Sequence, residues 1–191
     1  MNLPNRLTVS RLVLCVALIV CLEWKGKYGG AAAFVVFVVA SLTDWLDGWL
    51  ARRWKLVTDL GKLLDPLADK ILISIAYVAL VADRMAPFWL VVCIISREFL
   101  ITGLRSLAAA KGVILSAEKA GKHKTISQSV TAALGLLLLA LQNIQGNSAT
   151  LVSFRHWVFE PLLWLTLAVT LYSGAIYCVK NWKLLFSEKE A

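Results

Sequence analysis

The sequence predicts an all-α integral membrane protein, a single domain over residues 1–191 with six transmembrane helices and a polar cavity that faces the cytoplasm. Hydrophobic residues make up 59% of the chain and its mean hydropathy is +0.73, whereas soluble domains are about 45–50% apolar. The apolar residues fall in long runs, and a helix needs about 20 of them to cross a hydrocarbon core about 30 Å thick. Short basic segments separate the runs, as expected for a chain that crosses a membrane repeatedly.

Each predicted helix corresponds to one apolar run, and polar residues set its limits. The first run is short, follows a polar lead-in at residues 5–8 and ends at Glu23; no small-x-small site follows it directly, which argues against a cleaved signal peptide. The third run is interrupted at its start by Asp65, Asp69 and Lys70, so only its later part is suited to lipid. A polar loop is predicted over residues 142–153, between the fifth and sixth runs. The predicted helices lie near residues 8–23, 31–52, 67–83, 87–109, 125–142 and 157–180.

The basic residues, which give the chain a net charge of +8, are divided unequally between the two sides of the predicted bundle. One side carries Lys25, Lys27, Arg84 and Arg155. The other side carries Arg6, Arg11, Arg52, Arg53, Lys55, Lys62, Lys111, Lys119, Lys122, Lys124, Lys180, Lys183 and Lys189. The positive-inside rule therefore predicts a protein of the cell (inner) membrane with both termini in the cytoplasm. Basic residues in such loops attract anionic membrane lipids, so we expect no nucleic-acid partner.

Four aspartates near the cytoplasmic ends of the second and third predicted helices are the most informative feature. Asp44 and Asp47 are three residues apart, and Asp65 and Asp69 are four apart, so each pair shares one face of its helix. A basic loop joins the two helices, and an antiparallel hairpin would bring the four carboxylates together. Each costs about 2.5–3.5 kcal/mol to place in an apolar zone, and their mutual repulsion adds to that cost.

A cationic partner must offset this cluster. Oxygen ligands without His or Cys favour Mg²⁺ or Mn²⁺ over zinc. Two such cations bridged by shared carboxylates would neutralise the aspartates and bind a pyrophosphate. Small residues nearby leave room for a nucleotide, namely Gly48 and Ala51 on one helix and Gly61 on the other. Arg52 can donate two hydrogen bonds to phosphate oxygens.

These residues match the pattern D-x2-D-G-x2-A-R-x8-G-x3-D-x3-D at every fixed position. The pattern resembles the signature of the CDP-alcohol phosphatidyltransferase family, and the hydropathy of the whole chain resembles that family's six-helix fold. The resemblance implies that Asp44, Asp47 and Asp65 bind two divalent metals and that Asp69 completes the second site and acts as general base. It also implies a homodimer whose active site opens to the cytoplasm. A CMP pocket is implied at Gly48, Ala51, Arg52 and Gly61.

Three further segments, at residues 5–11, 96–105 and 121–128, resemble members of this family that use sn-glycerol 3-phosphate as acceptor and CDP-diacylglycerol as lipid donor. Arg97 and Arg105 are eight residues apart and share a helix face. Together with Lys122 and Lys124, they could enclose the acceptor's phosphate. An internal Arg97–Glu98 pair and ordinary membrane anchoring by the lysines are the structural alternatives. His156 and His123 have no carboxylate or histidine partner at ligand spacing and receive no role.

Other functions stay open at this point. The same chemistry could use another acceptor, such as inositol phosphate or phosphatidylglycerol. A divalent-cation transporter would also need intramembrane carboxylates, but it would be expected to carry them near mid-membrane on several helices, often in repeated halves. A catalytically inactive lipid-binding protein is disfavoured because all eight motif positions are intact.

Overall fold

The computed structural model describes residues 3–24, 26–54, 59–110 and 119–186, which form helices joined by short turns. Within these helices, the side chains of residues 3–9, 44–54, 59–66, 110, 119–123 and 182–186 are not described. No strand occurs in the described ranges, so the predicted all-α class is confirmed. The helices are α1 (Leu3–Glu23), α2 (Gly29–Trp54), α3 (Asp59–Ala82), α4 (Phe88–Ala110), α5 (Lys119–Gln145), α6 (Ala149–Phe154) and α7 (Glu160–Phe186).

A π-helical turn at Arg155–Phe159 joins α6 to α7, so the last two helices form one continuous rod. Six long helical segments therefore follow the six predicted runs. Among the described residues, two of them, Lys124–Gln145 and Ala149–Asn181, are long and apolar enough to cross a membrane. Gly29–Thr43 is a shorter apolar helix. The count of six membrane spans remains a prediction.

The predicted polar loop at residues 142–153 is wrong, because helix occupies most of it. Helix α5 continues to Gln145 and α6 begins at Ala149. Gly146 ends α5 in the left-handed conformation (φ +73°), and its N–H donates to the Gln142 carbonyl oxygen at 2.9 Å. Ser148 then caps α6, its Oγ accepting from the Leu151 N–H at 3.3 Å. These two local signals compress the connection to three residues.

The bundle packs around α3 and α5. Helix α1 contacts α2 and α3, α5 contacts α2, α3 and α7, and α4 contacts α3 and α7. Tyr77, Leu80, Leu136 and Phe159 are almost completely buried where these elements meet. Gly135 permits the close approach, since a Cβ there would lie only 2.7 Å from both methyl groups of Leu80.

Large apolar side chains remain exposed along the outside of the bundle. They include Val13, Val16 and Val20 on one side of α1, each more than 60% exposed, and Val179 on α7. A soluble monomer rarely exposes continuous apolar surface of this kind. An exposed apolar surface of this kind is suited to contact with the acyl chains of membrane lipids.

The end of the bundle formed by the α3–α4 and α6–α7 connections is closed by polar contacts. Arg155 Nη2 donates to the Arg84 carbonyl oxygen at 2.6 Å, and Arg84 itself has a positive φ of 55°. His156 Nδ1 lies 3.0 Å from Glu160 Oε2. The expectation that His156 lacks a carboxylate partner is therefore wrong; its partner is four residues on, across the π-helical turn.

Candidate active site

The aspartate motif is carried by the last turns of α2 and the first half of α3. Asp44 and Asp47 lie on α2, and Asp65 and Asp69 lie on α3. Of these four, only Asp69 has a described side chain, and it is half-buried. Gly48, Ala51, Arg52, Gly61 and Lys122 also lie outside the described side chains. The described side chains contain no cluster of three His, Cys, Asp or Glu residues that could hold a metal ion. Three of the four predicted ligands lie outside the described side chains, so metal binding here remains a prediction.

Asp69 lies where α3 packs against α1. Cys15 on α1 is buried, and both Asp69 and Arg11 act on it electrostatically. Arg11 is itself only 4% exposed. Arg11, which was counted among the basic loop residues of the cytoplasmic side, therefore lies within α1 and not in a loop. Arg11 and Asp69 thus share Cys15 as a neighbour, and a buried cation in this region fits a site in which negative charge must be offset.

A second polar cluster surrounds Glu98 on α4. Lys124 Nζ on α5 donates to both carboxylate oxygens of Glu98. Arg97 Nη1 donates to Glu98 Oε1 at 3.1 Å, and Gln128 Nε2 donates to the same oxygen at 3.3 Å. The Glu98, Arg97 and Lys124 side chains are 12%, 10% and 7% exposed. Glu98 thus fixes two of the cations that the sequence assigned to the acceptor's phosphate.

Helix α7 provides the other wall of this cluster. Arg97 Nη2 donates to Ser173 Oγ at 2.9 Å. The next residue, Gly174, leaves space for the arginine, since a Cβ there would lie 3.1 Å from both Cγ and Nε of Arg97. Thr170 Oγ1, one turn earlier on α7, accepts from Gln128 Nε2 at 3.1 Å. None of these small α7 residues carries a charge, and the sequence analysis gave them no role.

Arg105 lies on α4 about two helical turns beyond Arg97. Its guanidinium carbon is 5.2 Å from the centroid of the Tyr177 ring on α7. A guanidinium over an aromatic ring is attracted by the ring face and keeps its N–H groups as hydrogen-bond donors. Arg97 and Arg105 both contact α7, at Ser173 and Tyr177, so the prediction that they share one face of α4 is confirmed.

Helix α3 connects the aspartate motif to the Glu98 cluster. The Tyr77 hydroxyl donates to the Gln128 carbonyl oxygen at 3.3 Å. Lys70, next to Asp69, is half-buried and interacts electrostatically with Glu98, Arg97 and Arg105. The sequence analysis assigned Lys70 no role. Its position immediately after the last aspartate was the available signal.

The charges around Glu98 do not balance. Lys70, Arg97, Arg105 and Lys124 supply four positive charges, and among the described side chains Glu98 forms ion pairs with two of them, Arg97 and Lys124. Asp69 is the other nearby carboxylate acting on Lys70. Among the described side chains this leaves an excess of positive charge beside an acidic motif, with Arg105 exposed and the other three cations at least half-buried. Such an arrangement is suited to a multiply charged anion.

The chain belongs to the CDP-alcohol phosphatidyltransferase family, whose model matches residues 1–172. It is 40% identical over 196 residues to the CDP-diacylglycerol–glycerol-3-phosphate 3-phosphatidyltransferase of Bacillus subtilis (strain 168), covering 96% of this chain and 97% of that protein. Proteins of the same name match from Mycoplasma pneumoniae, 32% identical over 96% of this chain and 89% of that protein, and from Cereibacter sphaeroides, 30% identical over 98% and 99%.

Family membership decides between the classes left open by the sequence. The chain is a transferase of this family rather than a cation transporter. Family membership, the apolar helices and the exposed apolar surface together identify the chain as an integral membrane protein.

Proposed function

We propose that the chain transfers the phosphatidyl group of CDP-diacylglycerol to sn-glycerol 3-phosphate, giving phosphatidylglycerophosphate and CMP. The observation that carries the acceptor assignment is the cluster of four cations on α3, α4 and α5 beside Asp69. A neutral alcohol would leave that excess charge uncompensated, whereas a phosphorylated one offsets it. The names of the relatives support the same donor and acceptor.

The reaction is a direct displacement in this proposal. Asp69 takes the proton from the acceptor's primary hydroxyl, whose oxygen then forms a bond to the lipid-linked phosphorus. The bond from that phosphorus to the CMP oxygen breaks, and CMP leaves with the electron pair. No Ser, Cys or His of the motif is placed to form a covalent intermediate, so we expect sequential kinetics.

Two divalent cations, Mg²⁺ or Mn²⁺, would be held by Asp44, Asp47, Asp65 and Asp69. The donor set fits, because it consists of carboxylate oxygens only. When bound, the cations would polarise the donor's pyrophosphate and offset the charge of departing CMP. The CDP moiety would lie against Gly48, Ala51, Arg52 and Gly61, where small residues leave the helix backbone accessible.

The acceptor's phosphate would bind at Arg97, Arg105, Lys122 and Lys124. Arg105 is the exposed one of the three described residues, and its guanidinium lies over the Tyr177 ring rather than against Glu98. Arg97 and Lys124 are held by Glu98 and Ser173, so their positions are set before the acceptor enters.

The remaining parts of the proposal concern the protein in its membrane. We infer one domain over residues 1–191 with six spans, and a cytoplasmic cavity for the active site. Both termini lie in the cytoplasm of the inner membrane in this arrangement, and two chains form a homodimer among membrane lipids. The excess of basic residues at one end of the bundle supports the orientation.

A purified-protein assay tests the reaction. We expect CMP release from CDP-diacylglycerol with sn-glycerol 3-phosphate as acceptor, and loss of this release in EDTA with recovery on addition of Mg²⁺ or Mn²⁺. Free inositol, inositol phosphate and phosphatidylglycerol serve as the acceptor panel. Release with inositol phosphate but not with glycerol 3-phosphate would overturn the acceptor assignment, and release unaffected by EDTA would overturn the metal site.

Replacing Arg105 by alanine is expected to raise the KM for glycerol 3-phosphate by roughly tenfold or more. A hydrogen bond to a charged group contributes about 1.5–3 kcal/mol, and about 1.4 kcal/mol corresponds to a tenfold change in affinity. The KM for CDP-diacylglycerol should stay within about twofold of the wild-type value, since Arg105 lies on α4, away from the α2 residues of the CDP pocket. An unchanged acceptor KM would remove Arg105 from the site.

A further inference from the structure

Lys70 is placed to serve the acceptor although it belongs to the helix of the aspartate motif. It precedes Tyr77 by seven residues, about two turns of α-helix, so the two side chains share one face of α3. On that face the Tyr77 hydroxyl contacts the backbone of Gln128, whose side chain bonds Glu98. The face of α3 that carries Lys70 is therefore directed toward α5 and the Glu98 cluster.

Asp69 and Lys70 point to different neighbours. Successive residues on an α-helix are separated by about 100° of rotation. Asp69 acts on Cys15 of α1, whereas three of the charges that act on Lys70, those of Glu98, Arg97 and Arg105, belong to α4. Lys70 is thus not simply a counter-charge to the motif, because its surroundings are those of the second cluster.

The hydrogen bonds of Glu98 leave Lys70 aside. Its described donors are Arg97, Lys124 and Gln128, and no described side chain forms an ion pair or a hydrogen bond with Lys70. A half-buried ammonium group beside three other cations is unfavourable on its own. An anion bound between them would offset that cost.

We propose that Lys70 is a further ligand of the acceptor's phosphate, joining α3 to the site formed by Arg97, Arg105 and Lys124. This inference rests on the proposed function. Neighbouring residues of one helix then serve the two ends of one small molecule: Lys70 binds the phosphate and Asp69 faces the hydroxyl that attacks. A three-carbon alcohol phosphate is short enough to be held in this way, which makes Lys70 a determinant of acceptor choice.

The test compares Lys70→Gln with Lys70→Arg in the full-length protein. Lys70→Gln is expected to raise the KM for glycerol 3-phosphate at least tenfold, with the KM for CDP-diacylglycerol and the Mn²⁺ concentration for half-maximal rate within twofold of wild type. Lys70→Arg should recover most of the acceptor affinity. Lys27→Gln removes the same charge from an exposed position in the α1–α2 connection and should change none of these values.

Two results would overturn the inference. In the first, Lys70→Gln leaves the KM for the acceptor unchanged. In the second, Lys70→Gln changes the Mn²⁺ requirement or the KM for the donor instead of the KM for the acceptor. A measurement on the wild-type protein guards against poor folding of the variant: glycerol 3-phosphate should slow acetylation of Lys70 by acetic anhydride, followed by mass spectrometry, and equal rates with and without it would count against the proposal.

Failure of the proposed function gives a different pattern. If the wild type uses another phosphorylated alcohol, the acceptor assignment fails, while Lys70→Gln should still raise the KM of that alcohol. If the wild type works best with an unphosphorylated alcohol, both the acceptor assignment and the role of Lys70 are wrong.

Discussion

Replacing Asp69 by asparagine is expected to lower kcat at least about a thousandfold. A positioned general base contributes about 10²–10⁴-fold to rate, and the same carboxylate is proposed as a metal ligand, so both contributions are lost together. Asparagine has nearly the same volume and keeps one oxygen acceptor. The helix should therefore form, and the variant should still bind nucleotide.

CMP release under saturating substrates measures the first part of this prediction, and calorimetric titration with CDP measures the second. Asp83→Asn is the matched control, since it removes a carboxylate from just beyond the opposite end of α3. Burial raises the pKa of Asp83 above its ordinary value, so a neutral side chain is well tolerated there. If the Asp69→Asn protein retained a tenth of the wild-type rate, Asp69 would not be the general base.

The sequence predicted the helices better than the connections between them. Apolar runs are long compared with a helical turn, so composition alone located all six long segments. The predicted helix ends differ from the observed ends by a few residues to about ten. The short helix Ala149–Phe154 was missed because its sequence lies between polar residues and is only six residues long. Its cap at Ser148 and the left-handed Gly146 are local signals that a search for apolar runs does not detect.

The candidate site also has one part that the sequence predicted and one part that it did not. Spacing along one helix placed Arg97 and Arg105 on one face, because helical periodicity is a local property. It could not show that Glu98 binds Lys124, since that ion pair depends on where α4 and α5 lie in the folded bundle. Lys70 was overlooked for a related reason: the rotation of α3 that turns it toward α4 is set by packing and not by its own sequence.

The contribution of α7 was the least predictable part. Ser173, Gly174 and Tyr177 form the wall against which both arginines lie. Serine, glycine and tyrosine occur in many transmembrane helices as packing residues. Only contact with charged residues on α4 distinguishes these three from ordinary packing positions.

Replacing Glu98 by alanine is expected to destabilise the protein more than any other single change in the Glu98 cluster. Lys124 and Arg97 would be left 7% and 10% exposed without their shared carboxylate. Removal of one partner of a buried ion pair costs about 3–5 kcal/mol, because the remaining charge is desolvated and uncompensated. Thermal unfolding in detergent should occur several degrees below wild type.

Ser127→Ala is the control for this prediction. The Ser127 hydroxyl lies 2.7 Å from Thr166 Oγ1 and bridges α5 and α7, but it bonds neither Lys124 nor Arg97.

A double variant separates the stability of this cluster from its function. Replacing both members of a buried ion pair by apolar residues is often neutral, so Glu98→Ala with Lys124→Met should recover part of the lost thermal stability. It should not recover acceptor binding, because Lys124 is then absent from the phosphate site. Glu98 therefore has two roles in this proposal: its carboxylate stabilises the folded protein by neutralising Lys124 and Arg97, and it holds both cations in position for the acceptor's phosphate. If Glu98→Ala unfolded at the wild-type temperature, the lysine and arginine would be stabilised by something other than this carboxylate. The four cations would then owe their arrangement to packing alone.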